Sequence, residues 1–91
     1  MPSVAERMRA KIQTAFAPDD IKISDDSHKH AGHAGARPGG ESHFTVAIVS
    51  AAFAGKSRVD RQRLVHAALA EELAGPVHAL ALVLRAPGEE R

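Results

Sequence analysis

Apolar positions recur at helical spacing at the start of the chain. Val4, Met8, Ile12, Ala15 and Phe16 fall on one stripe, while Arg7, Arg9, Lys11 and Gln13 lie off it. Ser3 stands just ahead with Glu6 three residues on, the pattern of a capping box, and Pro18-Asp19-Asp20 ends the helix. The period then drops to two. Ile21-Lys22-Ile23-Ser24 alternates as a short strand with one buried face, closed by Asp25-Asp26-Ser27. His43 to Ser50, HFTVAIVS, is apolar on both alternations after its first residue, as in a central strand covered on one face and partly on the other.

Ala51 to Ser57, holding Phe53 and Gly55-Lys56, predicts a short turn of 3₁₀ type. A second helix follows over Val59 to Leu73, burying Leu64, Val65, Ala68, Leu69 and Leu73, with Arg63, His66, Ala67 and Ala70 opposite. Gly75-Pro76 stops it. Val77 to Leu84, VHALALVL, reads as a last strand with His78, Leu80, Leu82 and Leu84 on one face, and the residues from about 86 to 91 as a flexible tail.

The order α-β-β-α-β constrains the sheet. Two strands joined by one loop pair antiparallel, and a strand-helix-strand crossover makes the third parallel to the second. The end of the first strand and the starts of the other two therefore share one end of a three-stranded mixed sheet. That brings His30, His43 and His78 to the same end of a single small α/β (α+β) domain, with its helices packed on one face.

Composition narrows the possible chemistry. At 91 residues, with 44% apolar residues and only three Phe, the chain supports one thin aliphatic core. A net charge of +1 gives no whole-chain drive toward nucleic acid or an anionic membrane. With no cysteine, disulfides are excluded, as is any cluster held by this chain's own thiolates; a thiolate ligand must come from a partner. The charged N-terminus, MPSVAERMRAKI, has neither a signal-peptide core nor a membrane span, so the expectation is a cytoplasmic protein.

Four of the six histidines, His28, His30, His33 and His43, fall within Ser27 to Phe44, SHKHAGHAGARPGGESHF. The connection over about residues 26–42 is long for a strand link, which favours a functional or mobile segment, although a solvated polar loop would look the same. Zinc or nickel capture by His28, His30 and His33 is a weaker signal than paired cysteines would give. His78 reads either as a rim residue bonded to backbone or as a ligand. Ser42 and His43 are strand neighbours expected to point to opposite faces, so a serine nucleophile with a histidine base is set aside and the chain is expected not to be an enzyme. Lys56, Arg58, Arg61 and Arg63 form a basic cluster entering the second helix, where cations oppose the helix dipole. A turn followed by a basic helix is half of a helix-turn-helix, which makes DNA a candidate partner. The element order resembles a type II KH domain, but Gly55-Lys56-Ser57-Arg58 supplies one glycine where the KH phosphate clamp has two.

The chain also resembles the BolA-like family over nearly its whole length. The resemblance rests on Asp25-Asp26-Ser27-His28-Lys29-His30, Glu41-Ser42-His43-Phe44, Ile48-Val49-Ser50, Phe53-x-Gly55, Arg61-x-Arg63-Leu64-Val65, Leu69-x-Glu71-Glu72-Leu73 and Val77-His78-Ala79-Leu80. It implies one BolA-like domain over residues 1–91 with KH-like topology, paired with a monothiol glutaredoxin and sharing a 2Fe-2S cluster, in iron handling or transcription regulation. In that picture the glutaredoxin and its glutathione supply thiolates. The ligands of this chain map to His78 and to His30 of the loop, with His33 the alternative because the loop is longer than the family's. Gln62 stands where the family often has histidine. The form without cluster is expected to be a monomer or weak homodimer.

Overall fold

The computed structural model describes residues 3–26 and 42–89. His28, His30 and His33 lie outside the described residues.

Helix α1, Val4–Phe16, starts as the sequence predicts. The Ser3 side chain accepts from the Glu6 N–H at 3.0 Å, and the Glu6 carboxylate accepts from the Ser3 N–H at 2.8 Å, so two otherwise orphaned donors are satisfied reciprocally. The helix closes at Ala17, in the left-handed region at φ 42, whose N–H donates to the Gln13 carbonyl. Val4, Met8, Ile12 and Phe16 are buried. Ala15, expected on the same stripe, is exposed, because a buried line one residue wide per turn follows the i, i+4 row and leaves its flank in water.

Strands β1 (Asp20–Asp25), β2 (His43–Val49) and β3 (Ala79–Arg85) form one sheet in the order β1-β2-β3. β1 runs antiparallel to β2, from Asp20 opposite Val49 to Asp25 opposite Phe44; β3 runs parallel to it, from His43 beside Ala79 to Val49 beside Arg85. The central position of β2 explains its doubly apolar sequence. Phe44, Val46 and Ile48 are buried with Met8, Ile12, Phe53, Val65 and Leu69 between sheet and helices, while Thr45, Ala47 and Val49 on the other face are half-buried. Phe16 and Phe53 pack with ring centroids 5.2 Å apart, closing the core where α1 meets the 3₁₀ turn Ala51–Phe53. Buried Ser50 fixes that corner: its hydroxyl donates to the Phe16 carbonyl at 2.6 Å and accepts from Ala52 N–H at 3.1 Å.

The expected single second helix is divided. Helix α2 spans Arg58–Ala68 and α3 spans Ala70–Ala74, with Leu69 between them at φ −106, ψ 21. Val65 and Leu69 are buried as predicted, but Leu64 is 39% exposed and Glu72 is fully buried. The break turns α3 so that Glu72 faces α1, where Lys11 Nζ lies 2.8 Å and Arg7 Nη2 3.1 Å from its Oε2. Lys11 also reaches Glu71 at 2.7 Å. The last strand begins later than expected: Val77 is buried ahead of it, and exposed His78 sits in the bend before Ala79. The segment expected to fray after Arg85 is held through Glu89, with Ala86 buried and the Glu89 carboxylate bonded to Arg61.

Candidate functional site at the histidine end of the sheet

The sheet order brings one end of all three strands together. Asp26 N–H, just past β1, donates to the His43 carbonyl at 2.7 Å, and the Asp26 carboxylate accepts from Ser24 Oγ at 2.9 Å and Thr45 Oγ1 at 2.5 Å. On the other side the Ser42 carbonyl accepts from His78 N–H at 2.7 Å and Ala79 N–H at 3.2 Å. These bonds pin the points where residues 27–41 leave β1 and return to β2. The His43 and His78 rings meet there, centroids 6.3 Å apart and planes 30° from parallel. Their proximity follows from the topology read in the sequence.

One local expectation is overturned. Ser42 and His43 do meet: Ser42 Oγ lies 2.8 Å from His43 Nδ1. The parity rule fails because Ser42 lies in the bend before β2, not within the strand. Ser42 is fully buried, so its hydroxyl restrains the imidazole and is not presented to a substrate. His78, in contrast, bonds through its main chain and leaves its ring at the surface. Among the described residues no group of three or more His, Cys, Asp or Glu is placed to hold a metal ion. The described part of this end therefore offers imidazole donors in an open arrangement, of the kind transition metals accept.

The basic residues lie at the other end of the sheet and do not act as one set. Ser57 caps α2 by accepting from Asp60 N–H at 3.1 Å, and Asp60 in the first turn offsets the cations around it. Lys56, Arg58 and Arg61 border a groove against β3, whereas Arg63 points outward, 3.7 Å from Asp60. Arg61 is the most engaged: Nε donates to the Lys56 carbonyl at 3.0 Å, Nη1 to the Leu84 carbonyl at 3.1 Å, and both Nη atoms to Glu89. The Arg61 hydrogen bonds and, after them, the Ala86 N–H hold the Glu89 carboxyl down at about 2. No local pattern could reveal this pairing, since its partners are far apart in sequence.

A three-stranded mixed sheet of this order, helices on one face and imidazoles gathered where the long connection departs, defines a small α+β domain of BolA type. Residues 12–89 match the family described as BolA-like protein, and the chain belongs to that family. It is 48% identical over 88 residues to BolA-like protein 1 of Homo sapiens, covering 97% of this chain and 61% of the relative. The chain thus spans about three-fifths of that relative's length. It is 42% identical over 79 residues to the DNA-binding transcriptional regulator BolA of Escherichia coli K12, covering 87% of this chain and 71% of the relative. The solved structure of BolA1 from Arabidopsis thaliana superposes with a TM-score of 0.87 at 40% identity, over 100% of both chains. Among the described residues no helix is long and apolar enough to cross a membrane.

Proposed function

We propose that this chain is a non-enzymatic adaptor that binds a monothiol glutaredoxin and co-ligates a 2Fe-2S cluster through His78 and one imidazole of the connection, His30 or alternatively His33. The observation that carries the reading is the meeting of His43 and His78 at the end of the sheet where the histidine-bearing connection starts and finishes. The donor set fits: the chain has imidazoles and no cysteine, so the partner and its glutathione would bring the sulfur. When bound, the cluster supplies one-electron chemistry at a potential raised by imidazole in place of thiolate. The chain's own task is positional. The Ser42 carbonyl fixes the backbone of His78, the Ser42 hydroxyl restrains the neighbouring His43 ring, and the exposure of His78 lets a second protein reach it. Such a chain would serve iron-sulfur trafficking or iron-homeostasis regulation in the cytoplasm.

The test mixes the chain with a cluster-loaded monothiol glutaredoxin and follows visible circular dichroism. His78→Ala should abolish the spectrum of the mixed complex, while His66→Ala, on the exposed side of α2, should leave it intact. An unchanged spectrum with His78→Ala removes the ligand assignment.

A second reading, a DNA-binding regulator using Lys56, Arg58, Arg61 and Arg63, draws on the basic groove and on the name of the E. coli relative. It predicts duplex binding that weakens steeply with salt and is lost on charge reversal of Arg61 and Arg63. The engagement of Arg61 by Glu89 and the outward course of Arg63 make it the less favoured of the two.

A further inference from the structure

At the far end of β3 from the histidines, the strand and the start of α2 enclose a groove of about 490 Å³. One wall is backbone. The Arg85 carbonyl accepts from Ser50 N–H at 2.9 Å on the β2 side, so the alternation of a strand turns the main-chain groups of Leu82 and Leu84 to the outer edge. There the Leu84 carbonyl is met by Arg61. The other wall is cationic, with Lys56, Arg58 and Arg61 from the helix side and Arg85 at the end. A sheet edge beside a row of cations complements an extended acidic polypeptide, which offers main-chain pairing and carboxylates together.

One carboxylate is already seated. Glu89 places Oε1 2.7 Å from Arg61 Nη1 and Oε2 3.0 Å from Nη2, the two-pronged pairing of carboxylate and guanidinium. A tight turn delivers it: Ala86 N–H donates to Glu89 Oε1 at 2.9 Å, Glu89 N–H to the Ala86 carbonyl at 3.0 Å, and Gly88 takes φ 91, which a side chain would strain. The Arg61 side chain is 12% exposed and that of Glu89 44%. The cation is the fixed half of the pair and the carboxylate the replaceable half.

We propose that Glu89 is an internal pseudo-ligand: it occupies the carboxylate position of a groove that takes an acidic, extended segment of another protein, which pairs with the β3 edge at Leu82, short of the Leu84 carbonyl that Arg61 holds, and displaces Glu89 from Arg61. Charge complementarity and the strand edge select a polypeptide over a single-stranded nucleic acid. A phosphate backbone cannot pair with a strand edge, and the stacking platforms that unpaired bases need are absent, since the chain has no Trp or Tyr and Phe16, Phe44 and Phe53 are all buried. The inference is independent of the adaptor reading, because the groove and the histidines stand at opposite ends of a strand roughly 20 Å long.

The experiment uses the full chain and a fluorescent peptide of about ten residues alternating Val and Glu, followed by anisotropy and by amide chemical shifts. Saturable binding with shifts at Leu82 and Leu84 is expected. Glu89→Gln should tighten it roughly threefold by removing an exposed internal competitor, and Arg61→Gln and Arg58→Gln should each weaken it, the former by roughly tenfold. If circular dichroism shows that Arg61→Gln has lost the fold, Arg58→Gln carries that arm. Backbone N-methylation of alternate peptide residues should abolish binding. Glu89→Gln without tighter binding, an N-methylated peptide that binds equally well, or an oligothymidine of equal charge that outcompetes the peptide would each overturn the proposal.

Discussion

Glu72 and Glu89 make the same kind of bond in opposite settings. Each carboxylate is gripped by cations from a distant part of the chain: Glu72 by Arg7 and Lys11 of α1, Glu89 by Arg61 of α2. Glu72 is fully buried, and burial pushes its carboxyl up. The hydrogen bond from Lys11, then its own backbone N–H, then Arg7 outweigh that and hold it below the ordinary carboxylate value. Glu89 lies in the surface, has little desolvation to overcome, and drops to about 2. A lowered carboxyl is therefore no measure of what its contact does for folding. A carboxylate in water is replaceable by water, whereas one enclosed between two helices leaves Arg7 unanswered, Lys11 with Glu71 alone, and a void when it goes.

The largest expected effect separates the two. Glu72→Ala should destabilise the fold by about 2–3 kcal/mol, near the lower end for a broken buried pair because Lys11 and Arg7 retain partial access to solvent, as read from urea unfolding. An unfolding midpoint equal to that of the parent would show that the α1–α3 contact stands without it. The pH profile gives the sign. A folded value below the ordinary 4.5 means that the Glu72 contribution is complete above that pH and fades as pH falls through the folded value. The parent should lose stability across that acid window more steeply than Glu72→Ala.

A smaller effect tests the other half of the comparison. Arg61→Gln should return the Glu89 carboxyl from about 2 toward its usual 4.5, followed by the side-chain carbon shift in an acid titration, with little change in melting midpoint. A titration still near 2 would assign the shift to the Ala86 N–H alone. The smallest effect sets the baseline: Leu64→Lys, at a position expected to be core but found 39% exposed, should change stability by less than about 0.5 kcal/mol.

The parts of the molecule legible in its sequence are those governed by short-range rules. The stripe of Val4, Met8, Ile12 and Phe16, the Ser3 and Glu6 cap, the doubly apolar β2 and the 3₁₀ turn each follow from spacing within a few residues. The meeting of His43 and His78 was legible too, because strand order alone dictates it. The burial of Glu72 was hidden in a helix read as unbroken, although it falls three residues after Leu69 on the same face and Arg7 and Lys11 are spaced to meet one partner. Ser42 misled by sitting one residue outside its strand, where side chains no longer alternate. The Arg61–Glu89 contact leaves no trace in local pattern, since it depends on where the turn after β3 comes to rest.

The parallel register of β2 and β3 makes β3 a ruler between the imidazoles and the guanidinium groove. Removing one residue from β3 would reverse the facing of the strand segment between Ala79 and the cut. Removing two would keep its facing but draw the two ends roughly 7 Å closer. Frame and length are thus separable, and a pair of deletions would tell which of them a binding protein measures.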